Sequence, residues 1–465
     1  MELKNKKVLL MGLGVLGGGL STAKWLVQQG VHLTITDLKN KKSLAVSLRS
    51  LGTIKKNIKF VLGQHRKKDF EKNDIVIVNP GVAYNNKFLK LAKKKKKIIL
   101  NELGLFTLAH PDIKSLAITG TRGKTTTTAW LYYLVTQQFP QVFLAGNNPQ
   151  KPLLATKVKI RDSMIVLETP SFLLENLPPG LFRPKVAIVT NIYRDHLNRY
   201  QNFQHYVKTK AEIFAYQNDS DFLILNKDNA RTDYLLKLKP HAQILFFSTK
   251  KKLPEGAFIQ NGRIVLRLNG RKNDLGSAKH FSQRWGQHNL ENLLAASLGA
   301  LVMGVASAKI KKALTHLPNI EMRQQLIYKK ILTAIYNDSA ATSPEATTAA
   351  VQRFSKTKDK LILIAGGTDA NLSYDLAWAK IICSAVKKEN LIMLEGSATK
   401  KMLKVMPYKN VKVFKTLKEC LVEVKSLADR KTIILFSPGA KSFEKFKNEF
   451  DRGQQFNKLV YEYFK

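Results

Sequence analysis

A glycine-containing loop between a strand and a helix constrains this chain of 465 residues more than any other feature. The segment SLAITG predicts a buried strand, and TTTTAWLYYLVTQQF predicts a helix. Between them, Gly123, Lys124 and Thr125 match the end of the phosphate-loop pattern G-x-x-x-x-G-K-[ST]. Ile118 stands where that pattern has its first glycine, and a glycine occurs instead at Gly120. The loop predicts a phosphate site at a helix N-terminus, with a helix start capped by threonines as the alternative.

Apolar strands alternate with helix-like stretches in three regions of the chain. KVLLMG, VHLTITD and DIVIVNPG mark the first region, MIVLETPS and KVAIVTNI the second, and LILIAGG and TIILFSPG the third. Within the second region, residues 256–274 alternate as in a hairpin. Such alternation predicts an α/β protein with parallel sheets covered by helices. We expect three domains in series: an N-terminal Rossmann-like domain (1–112), a central P-loop ATPase-like parallel sheet (113–319) and a C-terminal Rossmann-like domain (320–465).

A second glycine loop lies near the N-terminus. Gly12, Gly14 and Gly17 fit G-x-G-x-x-G, and Asp37 follows at the distance where a dinucleotide-binding turn places its ribose-binding acid. An NAD-dependent oxidoreductase is therefore one alternative. Because a helix N-terminus attracts any diphosphate, a UDP-linked ligand fits the loop equally well. A glycine turn that serves packing alone is the third alternative.

The charge balance is strongly basic, with 77 Lys and Arg against 34 Asp and Glu and a formal net charge of +43. Lys93–Lys97 form an unbroken run. Nucleic acid and anionic membrane surfaces attract such a chain. However, the lysines are spread along the whole sequence and are not interleaved with aromatic residues. We therefore interpret them as a solvated surface and expect no nucleic-acid partner.

The cysteines and the N-terminus bear on the compartment. Cys383 and Cys420 are the only cysteines, which favours a reduced cytoplasmic protein. MELKNKKVLL lacks the apolar core of a signal peptide, and no apolar run reaches the ~18 residues of a spanning helix. We expect a cytoplasmic protein without membrane insertion.

The compact form G-T-x-G-K-T-T resembles the phosphate loop of the Mur ligase family and its folylpolyglutamate synthetase relatives, in which the first glycine is displaced as here. Further segments resemble the same family in the same order: VLETPSFLLENL, TNIYRDHLNRY, YVKTKAEIF and GQHNLENLLAA. The resemblance runs from Gly12 to Phe456. The segment SPGAKSFEKFKNEFDRGQQF is most similar to the branch that adds D-glutamate to UDP-N-acetylmuramoyl-L-alanine.

The resemblance implies an ATP-dependent amide ligase of peptidoglycan precursor synthesis that uses ATP and Mg²⁺, with two Mg²⁺ ions expected. Its partners would be UDP-N-acetylmuramoyl-L-alanine, D-glutamate and ATP, and we expect a monomer. Ligation would proceed through an acyl phosphate. The absence of a Ser-His-Asp or Cys-His signature agrees with a mechanism that needs no protein nucleophile.

The resemblance also implies roles for particular residues. The implied catalytic residues are Lys124, Glu168, His196 and Lys210. The implied metal ligands are Thr125, Glu168, His196 and Lys210, the last as a carbamate. The implied ATP contacts are Gly120, Thr121, Arg122, Gly123, Lys124, Thr125, Thr126, Asn289, Asn292, Arg323 and Asp338. The implied UDP-sugar contacts are Gly14, Val15, Leu16, Asp37, Leu38, Asn79, Gly81 and Asn147.

The amino-acid pocket departs from the family pattern. Ala370 stands where the family usually has a lysine that holds a carboxylate of the incoming D-glutamate, and Ala340 also replaces a lysine of many members. The expected contacts Thr342 and Ser442 are present. We expect Lys441 to supply the missing charge. The alternative is a sister ligase that adds a different amino acid. Other departures are Arg122, Asn148, Pro149, Pro170, Leu173 and the order of residues 448–450.

Overall fold

A computed structural model describes residues 2–15, 17–146, 153–156, 163–195, 199–330, 333–357, 359–429 and 431–464. The chain divides into two compact units. The first contains Met1–Ala278 and Glu291–Leu317, and the second contains Lys279–Leu290 and Pro318–Lys465. Two sheets are built from strands of the first unit and one sheet from strands of the second. Across the described ranges, no helix has the length and apolar character needed to cross a membrane.

The first sheet is parallel and has five strands. They are β1 (Lys7–Met11), β2 (His32–Asp37), β3 (Ile58–Leu62), β4 (Ile75–Val78) and β5 (Ile98–Leu100), in the order β3-β2-β1-β4-β5. The connecting helices are α1 (Gly18–Gln28), α2 (Ala45–Ser50), α3 (Lys67–Lys72), α4 (Lys87–Lys94) and α5 (Glu102–Ala109). Val8 and Leu10 pack into one core cluster, and Leu9 and Met11 pack into another. Because successive side chains of a strand point to opposite faces, both faces of this sheet are buried.

The second sheet has nine strands, and it carries the phosphate loop. Its strands are β6 (Lys114–Thr119), β7 (Val142–Gly146), β8 (Met164–Glu168), β9 (Val186–Val189), β10 (Phe222–Asn226), β11 (Gln243–Ser248), β12 (Gly256–Gln260), β13 (Arg263–Leu268) and β14 (Arg271–Ser277). Their order is β14-β13-β12-β11-β10-β9-β6-β8-β7. The helices in this stretch of sequence are α6 (Lys124–Thr136), α7 (Ser171–Leu174), α8 (Phe203–Ala211), α9 (Thr232–Lys237), α10 (Ala278–Trp285), α11 (Asn289–Val302) and α12 (Ser307–Ala313).

The antiparallel end of this sheet is larger than the single hairpin expected over residues 256–274. The strands β12, β13 and β14 form two consecutive hairpins. Asn261-Gly262 and Asn269-Gly270 connect them, and all four residues have positive φ angles between 51° and 72°. Asn-Gly pairs favour such turns because both residues tolerate the left-handed region. The second Asn-Gly pair is the signal for the third strand.

The third sheet has six strands. They are β15 (Gln325–Lys330), β16 (Thr333–Asn337), β17 (Lys360–Ala365), β18 (Leu391–Leu394), β19 (Lys412–Phe414) and β20 (Thr432–Phe436), in the order β15-β16-β20-β17-β18-β19. The helices are α13 (Pro344–Phe354), α14 (Leu376–Ala385), α15 (Ser397–Val405), α16 (Leu417–Leu427) and α17 (Glu449–Phe464). The β15–β16 pair is antiparallel and the remaining pairs are parallel. One core cluster lies on each face of the sheet.

The predicted α/β class, with parallel-sheet domains in series, is confirmed. The boundary predicted between residues 112 and 113 falls in the connection from α5 to β6. The first two sheets nevertheless share one core cluster, to which Leu103 and Phe106 of α5 and Leu173 and Leu174 of α7 all contribute. This shared core explains why both sheets belong to one compact unit.

Candidate active site

The phosphate loop requires glycine at two positions. Gly120 has a φ angle of 147°, and a Cβ atom there would lie 1.9 Å from Oγ1 of Thr190. Gly123 has a φ angle of 80°, and a Cβ atom there would lie 2.2 Å from Oδ1 of Asn292. The displaced glycine is therefore a structural requirement of this loop, since no other residue fits its surroundings.

The helix α6 begins at this loop without a side-chain cap. Gly123 is its N-cap residue and makes no side-chain capping hydrogen bond. The alternative of a helix start capped by threonines is therefore wrong. The first N–H groups of an α-helix have no partner within the helix, and they carry the positive end of its dipole. The loop therefore presents backbone donors suited to a phosphate group.

Two lysine side chains meet at one carbonyl oxygen of the loop. Nζ of Lys124 donates to the carbonyl oxygen of Gly120 at 2.9 Å and to that of Thr121 at 3.0 Å. Nζ of Lys210, on α8, donates to the same Gly120 oxygen at 2.8 Å. Lys210 is only 1% exposed. Burial, and then the charge of Lys124, hold the pKa of Lys210 well below its usual range, while Asp195 and Glu168 act in the opposite direction.

The strand β9 and its following residues hold the loop from the other side. The N–H of Thr121 donates to the carbonyl of Asn191 at 2.8 Å, and the N–H of Arg122 donates to Oδ1 of Asn191 at 2.9 Å. Oγ1 of Thr190 donates to the carbonyl of Arg122 at 2.6 Å. Thr190 and Asn191 are not among the site residues predicted from the sequence. The signal available was their place directly after a buried strand, where polar residues of a parallel sheet meet the site.

Two of the residues predicted to hold Mg²⁺, Thr125 and Glu168, are oxygen donors, whereas His196 and unmodified Lys210 offer nitrogen atoms. Glu168 ends β8 and is buried, and Thr125 lies in the first turn of α6. His196 lies outside the described residues. Within the described part of the chain, no three His, Cys, Asp or Glu side chains are grouped closely enough to hold a metal ion. Carboxylate and hydroxyl oxygens suit Mg²⁺, whereas the amine of Lys210 does not unless it carries a carbamate.

The two asparagines predicted to contact adenine are engaged within the protein. Oδ1 of Asn292 accepts a hydrogen bond from Oγ1 of Thr127 at 3.2 Å. Nδ2 of Asn289 donates to the carbonyl of Trp285 at 2.7 Å and lies 3.0 Å from Nε2 of His288. Both side chains are thus held in fixed orientations. Their contact with adenine stays a prediction.

In the first sheet, the predicted ribose-binding acid closes its own loop. Oδ2 of Asp37 accepts from the N–H groups of Leu13 and Gly14 at 2.9 and 3.0 Å, and Oδ1 accepts from Lys39 N at 2.8 Å. The carboxylate thus holds the turn of the glycine loop, and this contact favours neither NAD nor a UDP-linked ligand.

The same end of the first sheet exposes apolar side chains. Val15 is 51% exposed and Leu38 is 65% exposed, so both can contact a flat ring. Asn79 follows β4, and its Oδ1 accepts from the N–H of Gly81 at 3.1 Å. Asn79 also packs against the glycine loop, because a Cβ atom at Gly12 would lie 2.9 Å from Asn79 Cβ. The predicted contacts Leu16 and Asn147 lie outside the described residues.

In the third sheet, two of the three predicted amino-acid contacts touch each other. Nζ of Lys441 donates to Oγ1 of Thr342 at 3.3 Å. The adjacent Ser442 is 2% exposed, and its Oγ has no hydrogen-bond partner among the residues that the structure describes. Arg452 is fully buried and donates to the carbonyl oxygen of Lys441 at 3.1 Å. Ala370 is exposed. A lysine therefore reaches Thr342 even though the usual lysine position holds alanine.

Asp338, the predicted ribose contact of ATP, follows β16 and is buried. Its Oδ2 accepts from Oγ of Ser437 at 2.7 Å, and its Oδ1 accepts from the N–H of Gln324 at 3.0 Å. Burial raises the pKa of Asp338 to about 7, although these hydrogen bonds and the charge of Arg323 favour the ionised form. Arg323 itself is exposed.

Comparison with known proteins gives two family matches. Residues 118–300 match the Mur ligase middle domain, and residues 6–101 match the MurD-like N-terminal domain of Mur ligases. The chain is 34% identical over 471 residues to the UDP-N-acetylmuramoylalanine–D-glutamate ligase of Roseiflexus sp. (strain RS-1), with 99% of both chains covered. It is 35% identical over 465 residues to the enzyme of the same name from Borreliella afzelii (strain PKo), covering 99% of this chain and 98% of the relative.

Solved structures share the fold. The UDP-N-acetylmuramate–alanine ligase of Thermotoga maritima aligns with a TM-score of 0.61 at 19% identity, covering 99% of this chain and 100% of the other. A pseudomurein peptide ligase from Methanothermus fervidus aligns with a TM-score of 0.54 at 20% identity and the same coverage.

The raised pKa of Asp338 predicts a pH-dependent stability. Between about pH 4 and pH 7 the folded protein retains a proton that the unfolded chain has released, so stability falls as pH rises through this window. Asp338→Asn removes that dependence. The free energy of unfolding of Asp338→Asn minus that of the parent should therefore increase by roughly 2–3 kcal/mol from pH 5 to pH 7. Above pH 7 this difference should become constant.

Denaturant titrations at pH 5, 6, 7 and 8 measure this difference. The exposed Glu462 provides a control, because Glu462→Gln should follow the parent at each pH. A difference between parent and Asp338→Asn that stays constant from pH 5 to pH 8 would contradict the prediction.

Proposed function

Because the chain belongs to the Mur ligase family, in the branch of the UDP-N-acetylmuramoylalanine–D-glutamate ligases, we propose that it joins D-glutamate to UDP-N-acetylmuramoyl-L-alanine in an ATP-dependent reaction. This reaction forms an amide bond in peptidoglycan precursor synthesis. One observation supports the proposal at the level of residues. The side chains of Lys124 and Lys210 both donate to the carbonyl oxygen of Gly120 in the phosphate loop. An ATP phosphate is the anion that such a loop accommodates.

The chemistry follows from this arrangement. An oxygen of the alanine carboxylate attacks the γ-phosphorus of ATP, the bond to ADP breaks, and an acyl phosphate forms. The amine of D-glutamate then attacks the acyl carbon and loses a proton, and the tetrahedral intermediate collapses to an amide and inorganic phosphate. Phosphoryl transfer depends mainly on positioning and charge neutralisation, which are the roles we assign to the loop N–H groups and Lys124.

Mg²⁺ would be held by Thr125, Glu168 and a carbamate on Lys210, and it would neutralise phosphate charge during the transfer. We propose two such ions, with His196 near the second. Carbamylation requires a neutral amine. The pKa of Lys210 is lowered because its buried ammonium form is unfavourable beside Lys124, so the neutral amine is available.

The remaining contacts are assigned by sheet. The first sheet binds the UDP-sugar, with Val15 and Leu38 against the uracil ring and Asn79 and Gly81 near the sugar nucleotide. The second sheet binds the ATP phosphates. In the third, Asp338 contacts the ATP ribose, and the amino acid is held by Thr342, Lys441 and Ser442.

The direct test of this function is phosphate release with UDP-N-acetylmuramoyl-L-alanine, ATP and a panel of D- and L-amino acids. D-Glutamate should give the highest kcat/KM. Lys124→Ala serves as the inactive control and should lower kcat by on the order of 10³-fold or more, because the loop cation is lost. Preference for a neutral amino acid would replace the proposal with a sister ligase.

Carbamylation of Lys210 gives a second prediction. Lys210→Ala should lose activity, and millimolar formate or acetate should restore part of it, because a small carboxylate can occupy the place of the missing carbamate. Lys208, exposed on the same helix α8, provides the matched control, and Lys208→Ala should need no rescue. Full activity of Lys210→Ala without added carboxylate would rule out the role.

Lys441 gives a third prediction. A charge-assisted hydrogen bond from its ammonium to a substrate carboxylate is worth about ten- to a hundredfold in affinity. Lys441→Ala should therefore raise KM for D-glutamate by that factor with little change in kcat, as expected when binding is lost equally in ground and transition states. Lys445, exposed in the same segment, is the control. An unchanged KM in Lys441→Ala would show that another group holds the carboxylate.

A further inference from the structure

We propose that Arg199 is a positioning residue for the sugar-nucleotide substrate, which it serves by fixing the loop after β4 relative to the phosphate loop. This loop, residues 79–82, contains Asn79 and Gly81. The inference rests on the proposed function in one respect: it takes these two residues as UDP-sugar contacts.

The guanidinium group of Arg199 binds the loop directly. Nη1 donates to the carbonyl oxygen of Pro80 at 2.7 Å, and Nη2 donates to that of Val82 at 3.1 Å. The two carbonyls flank Gly81. Arg199 comes from the segment after β9 of the second sheet, whereas the loop follows β4 of the first sheet. One side chain therefore ties the loop of one sheet to the other sheet.

Glu175 fixes the orientation of this guanidinium group. Nε and Nη2 of Arg199 lie 2.8 and 2.6 Å from the two carboxylate oxygens of Glu175, a bidentate pair. The hydroxyl of Tyr200 donates to Oε1 of Glu175 at 2.6 Å, and Nδ2 of Asn101 donates to the carbonyl of Glu175 at 2.8 Å. The side chains of Arg199 and Glu175 are 18% and 7% exposed. Because Glu175 holds the planar guanidinium group in one orientation, the remaining N–H donors of Arg199 point at the loop.

The same cluster reaches the phosphate loop. The ring of Tyr200 lies 5.2 Å from that of Tyr206, measured between centroids. The hydroxyl of Tyr206 lies 3.2 Å from Oγ1 of Thr121 in the phosphate loop, and Nζ of Lys210 lies 4.7 Å from the ring centroid of Tyr206. A continuous series of contacts thus runs from the ATP loop to the loop after β4.

Such a connection has a clear purpose in a ligase. The carboxylate that attacks ATP is carried by the same molecule whose UDP group binds the first sheet, so the two sites must stay at a fixed separation. Misplacement of reacting groups by about 1 Å can cost on the order of a hundredfold in rate. Without Arg199, the carbonyls of Pro80 and Val82 lose their charged donor, and Asn79 and Gly81 lose a fixed position.

Steady-state kinetics of Arg199→Met test this role. KM for UDP-N-acetylmuramoyl-L-alanine should rise by about tenfold or more, because Asn79 and Gly81 lose their fixed position, while KM for ATP stays within about twofold. Arg199→Lys retains the charge but not the fork and should lie between parent and Arg199→Met. Arg183→Met is the matched control: Arg183 pairs with Asp221 at 2.7 Å in the same unit and is not in contact with the loop. It should leave both KM values unchanged.

Hydrogen exchange of the ligand-free protein supplies a readout that needs no turnover. The amides of Asn79 and residues 81–84 should exchange faster in Arg199→Met than in the parent, and no faster in Arg183→Met. If the parent does not ligate these substrates, the proposed function fails, and the exchange result still decides the role of Arg199. Unchanged exchange of these amides, or equal rises in KM for both substrates, would overturn the inference.

Discussion

Two lysine side chains that converge on a single carbonyl oxygen set the chemistry of this protein. Lys124 comes from the helix after the phosphate loop, and Lys210 comes from α8, yet both donate to the carbonyl of Gly120. Because burial and the charge of Lys124 disfavour a second ammonium group here, the neutral amine of Lys210 is favoured. The charge of Lys124 is balanced when phosphate oxygens approach or when Lys210 reacts to become an anion. The site therefore favours the binding of negatively charged groups, which its substrates supply.

The loop can hold these charges because its backbone is fixed from several directions. Gly120 and Gly123 have φ angles that favour glycine, and Thr190 and Asn191 bind its N–H and carbonyl groups. The loop is thus arranged before a phosphate arrives, which reduces the cost of ordering it during the reaction. The Arg199–Glu175 pair extends the same rigidity to the first sheet. In contrast, most of the basic residues in the described ranges are exposed and take no part in this arrangement.

Local pattern accounts for what the sequence could predict, and long-range contacts account for what it could not. The strand–loop–helix unit around Lys124 and the parallel sheets follow from hydrophobic periodicity and glycine placement, so they were predictable. The double Asn-Gly signal of β12–β14 was equally local, and only its second turn was overlooked. The position of Asp37 fits a dinucleotide pattern, and no local pattern records that its carboxylate also binds its own loop. Arg199 meets Pro80 across 119 positions of sequence, and no local pattern records such a contact.

In the proposed mechanism, a carboxylate oxygen of the substrate attacks the γ-phosphate held by this loop. The decisive experiment is ligation of UDP-N-acetylmuramoyl-L-alanine labelled with ¹⁸O in its alanine carboxylate, with the released phosphate analysed by mass spectrometry. One labelled oxygen is expected in the inorganic phosphate for each amide formed, because the acyl phosphate transfers that oxygen when the amine displaces it. Amide formation with unlabelled phosphate would show that the carboxylate does not attack the γ-phosphate.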